Sequence, residues 1–272
     1  MLKFLIQTID GEVVHDFAFE LLRAIEYHKW RGDEMEFEFL DLHELWMVKI
    51  HNEKNYSEFI PVGTIEYVKK FIDLFLVQTN KDFVDIDQYI RPINVPPELR
   101  LPVVLEGTKG EILEGIKKLE MFYGIGARKY YIKSTEVLKD PINGDYDRDL
   151  LGKVIPESLV VQARPMTNIK SEWRVFVYQG NILACQNYSG DPLVFPNATA
   201  IKDMVRGYTS APEAYTLDVM VSENDMTSCL EVHEFFSCGF YGFSDYQRIP
   251  FMFARAWRDI KKRVVENGYQ GS

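Results

Sequence analysis

Two carboxylates, Asp218 and Glu231, lie in β-type segments on either side of the polar turn SENDMT. This pattern predicts a hairpin, and pairing Val221 with Ser228 across the turn sets Asp218 directly opposite Glu231. Opposed side chains on an antiparallel ladder have Cβ atoms about 5 Å apart, so two like charges there are destabilising unless a cation lies between them. The hairpin therefore predicts a cation site.

The period of two along a strand places Thr216 and His233 on the same face as the two acids. The result is an oxygen-rich site with one imidazole. Mg²⁺ suits such an open arrangement, because it keeps several waters and is bound through one or two carboxylates and substrate phosphates. A solvated acidic face is the other interpretation of this spacing, since Asp and Glu are common on exposed strands.

Arg174 lies in the β-type segment 172–178, whose residues alternate between a polar and an apolar face. A guanidinium among apolar neighbours on a sheet needs a bidentate anionic partner, either a carboxylate or a phosphate. The second interpretation is a plain salt bridge, to Glu172 or to an acid on the next strand.

Lys133 ends the aromatic segment Tyr130-Tyr131-Ile132. A lysine in this position can reach a phosphate as a point charge. It can equally extend its amine to water, so this residue alone does not identify a site.

The elements that carry these side chains belong to two regions of different texture. Residues 1–90 alternate strand and helix patterns, as in a small α/β unit, and the segment 91–102 contains four of the 12 prolines, which exclude a helix interior or a central strand. We therefore predict an N-terminal α/β domain over 1–100 and a second domain over 101–272. The second domain begins with a helix near 111–122 and a strand at 129–132. Closely spaced β-type segments then predict antiparallel sheet, and helical spacing returns at 253–264.

Composition narrows the classes of partner. The 272 residues carry 31 Lys and Arg against 41 Asp and Glu, a net charge of -10, which argues against nucleic acid and anionic membranes. No apolar run approaches the roughly 20 residues of a membrane-spanning helix, and three cysteines fit neither a disulfide framework nor a zinc motif. We expect a soluble cytoplasmic protein that could form a homodimer through an exposed helix or strand.

The order and spacing of these motifs resembles the ATP-grasp superfamily over roughly residues 101–245. The motifs, in chain order, are Lys133, a β-segment near Gln162, EWRVFV (172–177), LDV (217–219), LEVH (230–233) and SCGFYG (237–242). The resemblance implies an α/β (α+β) chain, in which a domain similar to the pre-ATP-grasp domain precedes an ATP-grasp fold of two α+β subdomains with antiparallel sheet.

The resemblance also implies roles for individual residues. Lys133 and Arg174 resemble the two catalytic cations that contact the nucleotide phosphates, and Asp218 and Glu231 resemble the two metal-binding acids. His233 occupies a metal-ligand position where most members have Asn. The backbone that meets adenine is assigned to four consecutive residues, Val160, Val161, Gln162 and Ala163.

A protein of this kind is expected to be an ATP-dependent carboxylate–amine ligase that uses ATP and Mg²⁺ and acts on small-molecule or peptide substrates. We expect Glu231→Gln or Arg174→Ala to abolish ATP turnover with the fold intact. One alternative is an inactive ATP-binding module that serves a protein partner, which His233 favours. A nucleic-acid ligase is the other alternative, and the Lys-x-Asp-Gly nucleophile motif that it needs is absent.

Overall fold

The computed structural model contains three sheets that share the chain in sequence order. It describes residues 1–51, 54–79, 86, 94–101, 103–124, 126–137, 140–236 and 238–267. Residues 91–93 and 102 of the proline-rich segment, Ser237 of the glycine-rich motif and the last five residues of the predicted second domain lie outside the described residues.

The N-terminal sheet is parallel, with the strand order β2-β1-β3. Parallel neighbours need crossover connections, and helices supply them here, as the alternating pattern predicted. Helix α3 begins at an N-cap, Thr64, whose hydroxyl accepts a hydrogen bond from the backbone N–H of Tyr67 at 3.2 Å. The elements are β1 (Leu2–Thr8), α1 (Asp16–Trp30), β2 (Met35–Asp41), α2 (Leu42–His51), β3 (Ile60–Val62) and α3 (Ile65–Gln78).

The second sheet is antiparallel, with the order β4-β7-β5-β6. Two helices from the same segment cover one face of it and form a compact apolar core with buried residues such as Ile116, Ile132 and Ala163. The elements are β4 (Leu105–Gly107), α4 (Lys109–Tyr123), β5 (Lys129–Ser134), β6 (Gly144–Asp147), α5 (Leu151–Val154) and β7 (Val161–Pro165).

The third sheet is also antiparallel, with the order β11-β10-β8-β9. Trp173, Val175 and Val177 lie in the core that α6 covers, so the apolar face predicted for 172–178 is confirmed. The elements are β8 (Ile169–Tyr178), β9 (Asn181–Gly190), α6 (Ala198–Gly207), β10 (Ala214–Ser222), β11 (Thr227–Glu234) and α7 (Ile249–Asn267).

Helix α7 packs on the N-terminal sheet rather than on the strands that precede it. Trp257 contacts Phe71 and Phe75 of α3 with ring centroids 5.4 and 5.6 Å apart, and one apolar core contains these residues together with β1 and β3. The last helix of the predicted second domain therefore completes the core of the first, and a domain boundary at residue 100 stays a prediction. None of the described helices combines the length and apolar character needed to cross a membrane.

The β10–β11 hairpin forms as predicted, but its register changes along the ladder. Val221 pairs with Thr227, so the predicted pairing of Val221 with Ser228 is wrong by one residue next to the turn. The register shifts between Asp218 and Val219, and beyond that point Asp218 lies opposite Glu231. A β-bulge that adds one residue to β11 explains both observations, because it restores the predicted pairing after a tighter turn.

Candidate functional site

A cleft of about 310 Å³ lies between the second and third sheets. Strands of both sheets supply its walls, and their inward faces carry charged, aromatic and apolar side chains. The lining residues are Tyr131, Lys133, Asp145, Arg164, Pro165, Met166, Thr167, Ile169, Glu172, Tyr188, Met220, Leu230 and Glu231.

Arg174 and Asp218 form a buried bidentate ion pair beside this cleft. They are directly opposed on β8 and β10, and Nε and Nη2 of Arg174 donate to Oδ1 and Oδ2 of Asp218, each at 2.8 Å. Burial disfavours the charged carboxylate, but the hydrogen bonds and charge of Arg174 outweigh that effect and hold the pKa of Asp218 below its usual value. The bidentate partner predicted for Arg174 is therefore a carboxylate in this structure, and it is one of the two predicted metal ligands.

The guanidinium of Arg174 is also held by the glycine-rich segment after β11. Its Nη1 donates to the carbonyl oxygen of Gly239 at 3.0 Å, and its central carbon lies 5.0 Å from the ring centroid of Tyr241 and 5.7 Å from that of Tyr188. The two tyrosine rings stack on each other with centroids 5.2 Å apart. Hydrogen bonds and aromatic contacts together fix the orientation of this arginine.

Glu231 is paired with Lys133, which reaches across the cleft from β5. Burial lowers the pKa of Lys133 to about 8, and the nearby charge of Arg164 adds to that effect. Lys133 and Glu231 belong to different sheets, so this ion pair joins the two walls of the cleft.

His233 lies beside both acids. Its Nε2 is 2.9 Å from Oε1 of Glu231 and 3.4 Å from Oδ2 of Asp218, and one ligand atom from each of the three residues can be chosen so that all lie within 4.8 Å of one another. The predicted register therefore brings the three predicted metal ligands together.

The donor set fits a divalent cation. Two carboxylates and one imidazole are a usual ligand set for a hard or borderline metal ion. Across the ladder from His233, Thr216 is fully buried, and its Oγ1 has no hydrogen-bond partner among the described residues. An unsatisfied buried hydroxyl indicates that a ligand or its water supplies the missing partner.

The four residues predicted to meet adenine do not line the cleft. Val161, Gln162 and Ala163 have strand partners on both sides, in β4 and β5, and the carbonyl of Val160 accepts from Thr135. Their backbone groups are therefore committed to the sheet. The cleft is lined instead by residues 164–167, which follow the point where β4 ends opposite Ala163.

Gln162 has a structural contact of its own. Its amide side chain accepts from the N–H of Val95 at 3.1 Å and donates to the carbonyl of Val95 at 2.9 Å, so it pairs with that residue as a neighbouring strand would. It also donates to Glu106 at 2.8 Å.

Sequence reasoning missed several residues of the cleft, among them Tyr131, Arg164 and Tyr188. Tyr131 lies two positions before Lys133 and therefore on the same strand face, so the period of two could have found it. Arg164 lies opposite Tyr131, with its guanidinium 5.0 Å from the ring centroid, but this pairing requires the β5–β7 register. Tyr188 comes from β9 and carries no motif that marks it.

Comparison with protein families places part of this geometry in a known domain. Residues 142–249 match the family model of an ATP-grasp domain, the second family of its clade. The matched segment includes Arg174, Asp218, Glu231 and His233, and it ends at the start of α7; Lys133 precedes it. No curated protein matches the sequence at a significant level.

Solved structures of ATP-grasp ligases resemble the whole chain. D-cycloserine synthetase DcsG has a TM-score of 0.60 at 11% identity, covering 94% of this chain and 99% of that chain. A RiPP-associated ATP-grasp ligase of Chryseobacterium gregarium, in complex with ADP and a leader and core peptide, has a TM-score of 0.55 at 12% identity, covering 95% and 97%. The ATP-grasp ligase PsnB, complexed with its minimal precursor, Mg and ADP, has a TM-score of 0.51 at 11% identity, covering 94% and 97%. The chain therefore has the ATP-grasp fold, and the protein is a member of the ATP-grasp superfamily.

Proposed function

We propose that this protein is an ATP-dependent ligase that activates a carboxylate as an acyl-phosphate for attack by an amine. The observation that carries the proposal is the convergence of two cations, Lys133 and Arg174, with the three-residue cluster of Asp218, Glu231 and His233 at one cleft between antiparallel sheets. Phosphoryl transfer needs this combination, because its transition state carries charge that fixed cations and a metal site offset.

The nucleotide is proposed to lie along the cleft. The adenine would lie against residues 164–167 with Met220 and Leu230, since this part of the lining is the more apolar. The phosphates would extend toward Lys133 and Arg174. This placement keeps the phosphate contacts expected of the two cations and moves the adenine contact along the chain from 160–163.

The chemistry then follows from positioning. A substrate carboxylate oxygen bonds to the γ-phosphorus as ADP leaves, and the amine nitrogen then bonds to the acyl carbon as phosphate leaves and a proton is lost from nitrogen. Asp218, Glu231 and His233 would hold Mg²⁺, which supplies charge stabilisation to the phosphate oxygens when it is bound. Lys133 and Arg174 orient the phosphates, and no side chain has to act as a nucleophile.

The acceptors proposed are small molecules or peptides with a free carboxylate or amine. Support comes from the relatives named above, one of which is described with a leader and core peptide and another with a minimal precursor. We place the reaction in the cytoplasm, in keeping with the net charge of -10 and three free cysteines.

An inactive ATP-binding module that serves a protein partner is the second candidate. Its specific support is that protein cations already neutralise both acids, Asp218 through Arg174 and Glu231 through Lys133. In such a module the ion pairs would hold the two walls of the cleft without turnover.

ADP release separates the two candidates. The protein is incubated with ATP, Mg²⁺ and pooled amino acids and short peptides, and products are identified by mass. A ligase releases more ADP with the correct pool than with ATP alone, Asp218→Asn abolishes that release, and Asp225→Asn, an exposed acid on the turn of the same hairpin, retains it. Nucleotide binding without turnover in any pool would favour the module.

A further inference from the structure

We propose that His233 ligates the metal directly through Nε2, and that this nitrogen makes the site select Mn²⁺ over Mg²⁺. The inference rests on the proposed function for the location of the metal, and it assigns that site a metal preference and a ligand atom. It follows from three observations: the position of Nε2 between two carboxylates, its lack of a well-formed hydrogen bond, and the buried hydroxyl of Thr216 on the same face of the hairpin.

The imidazole is placed as a ligand rather than as a hydrogen-bond donor. Nε2 is buried and lies within 3.4 Å of oxygens from Asp218 and Glu231, yet no described residue gives it a hydrogen bond of good geometry. A lone pair that converges with two carboxylates but is not satisfied by them is the arrangement expected when a cation completes the cluster.

Thr216 is the second, independent observation. It is fully buried, it lies directly opposite His233 on the ladder, and its Oγ1 also lacks a partner among the described residues. Two unsatisfied polar atoms on one strand face next to two acids indicate a ligand at this face. A bound cation with its water would satisfy both atoms.

The composition of the cluster determines which cation is favoured. Mg²⁺ is usually held by oxygen ligands, whereas imidazole nitrogen is a ligand for transition metals. Mn²⁺ accepts carboxylate, water and phosphate oxygens as Mg²⁺ does, and as a transition metal it also accepts imidazole. Because Asp218 and Glu231 supply oxygens and His233 supplies one nitrogen, the set should favour Mn²⁺.

Pulsed electron paramagnetic resonance of bound Mn²⁺ tests the ligand atom without any turnover. The full chain is loaded with Mn²⁺ and a non-hydrolysable ATP analogue, and coupling from a directly bound ¹⁴N is measured. We expect a nitrogen coupling in the wild type and in Asp225→Asn, and its loss in His233→Asn. A wild-type spectrum without nitrogen coupling overturns the proposal, and that measurement depends on no variant.

Metal competition tests the selectivity. The affinity for Mn²⁺ is measured by the free-ion signal, and Mg²⁺ is titrated against it. Losing even an outer-shell partner of a metal ligand typically costs 10–100-fold in affinity, so His233→Asn should reduce the preference for Mn²⁺ over Mg²⁺ by at least about tenfold. An unchanged preference in a folded His233→Asn protein, verified by circular dichroism, overturns the proposal.

The outcome for the metal is separable from the outcome for the ligase. ADP release and product formation with Mg²⁺, together with Mn²⁺ spectra that lack nitrogen coupling, would support the ligase and overturn the role of His233. Nitrogen coupling in a protein that turns over no substrate pool would support the role of His233 and overturn the ligase.

Discussion

At the residue scale, the same buried carboxylate has two cationic claims on it. Asp218 binds Arg174 through both oxygens and also lies beside His233 in the metal cluster. A carboxylate has about four lone-pair sites, so it can accept both hydrogen bonds from arginine and still present a lone pair to a metal. Arg174 therefore has a structural role in neutralising Asp218 as well as the proposed contact with phosphate.

This double role changes what is expected of Arg174→Ala, which the sequence alone predicts to leave the fold intact. The variant leaves Asp218, with 1% of its side chain exposed, charged and without its main partner. Breaking a buried pair in this way costs about 3–5 kcal/mol in the free energy of unfolding. Urea denaturation should show that loss, with ATP turnover also abolished.

A double variant provides the control for that prediction. Replacing both partners by apolar residues, as in Arg174→Met with Asp218→Leu, removes the uncompensated charge, so it should be less destabilising than Arg174→Ala alone. A double variant that is the less stable of the two would contradict a charge-based explanation.

Glu231→Gln should separate activity from stability. Glu231 is partly exposed, at 26% of its side chain, and its ion pair with Lys133 spans the cleft. Because partly exposed pairs contribute little, we expect the free energy of unfolding to change by no more than about 1 kcal/mol, while ADP release is lost with the metal ligand. Full activity in this variant would contradict the assignment of Glu231 to the site.

At the element scale, β7 is a structural strand where the sequence resemblance predicted an adenine contact. Its residues 161–163 pair with β4 and β5, and Gln162 also bonds both backbone groups of Val95. The nucleotide cleft begins only after this doubly paired stretch ends.

Gln162→Met should therefore affect stability more than nucleotide binding. It leaves the buried N–H and carbonyl of Val95 without their side-chain partner, at a cost of about 1–3 kcal/mol in the free energy of unfolding. The dissociation constant for ATP should stay nearly unchanged, whereas Tyr131→Ala, which removes a lining ring, should raise it. Calorimetry that gave the opposite ranking would restore the original assignment of the adenine contact.

Local patterns predicted the elements well and their partners less well. Alternation found β8, β10 and β11, and the spacing of Asp218 and Glu231 from the turn gave their pairing correctly, although the pairing beside the turn was wrong. The bulge in β11 does not interrupt the polar and apolar pattern, so no local signal marks it. Gln162 and Val95 are 67 positions apart, and a contact of that kind is decided by packing between distant segments.

At the scale of the whole molecule, the two predicted domains share a core. The N-terminal sheet, α3 and α7 contribute to one apolar cluster, although α7 is separated from β3 by both antiparallel sheets in the chain. A hydrogen bond from the backbone N–H of Phe240 to Asp16, at 2.7 Å, also ties the glycine-rich segment that holds Arg174 to the start of α1.

Trp257→Ala should reveal this coupling. The indole is 4% exposed and packs against the rings of Phe71 and Phe75, so its removal should cost about 3–5 kcal/mol in the free energy of unfolding. Fluorescence of the remaining tryptophans, which lie in both halves of the chain, should follow one transition shifted to lower denaturant. Two separate transitions, with only one of them shifted, would indicate that the halves unfold independently.

The position of α7 also sets an order of events during synthesis. Chains are made from the N-terminus, and a domain can complete its packing only when all its elements have left the ribosome. The first sheet of this protein is finished by its last helix, so β1 and α3 emerge long before the side chain that covers them, Trp257. The N-terminal unit must therefore wait, with part of its apolar surface uncovered, until translation has reached α7.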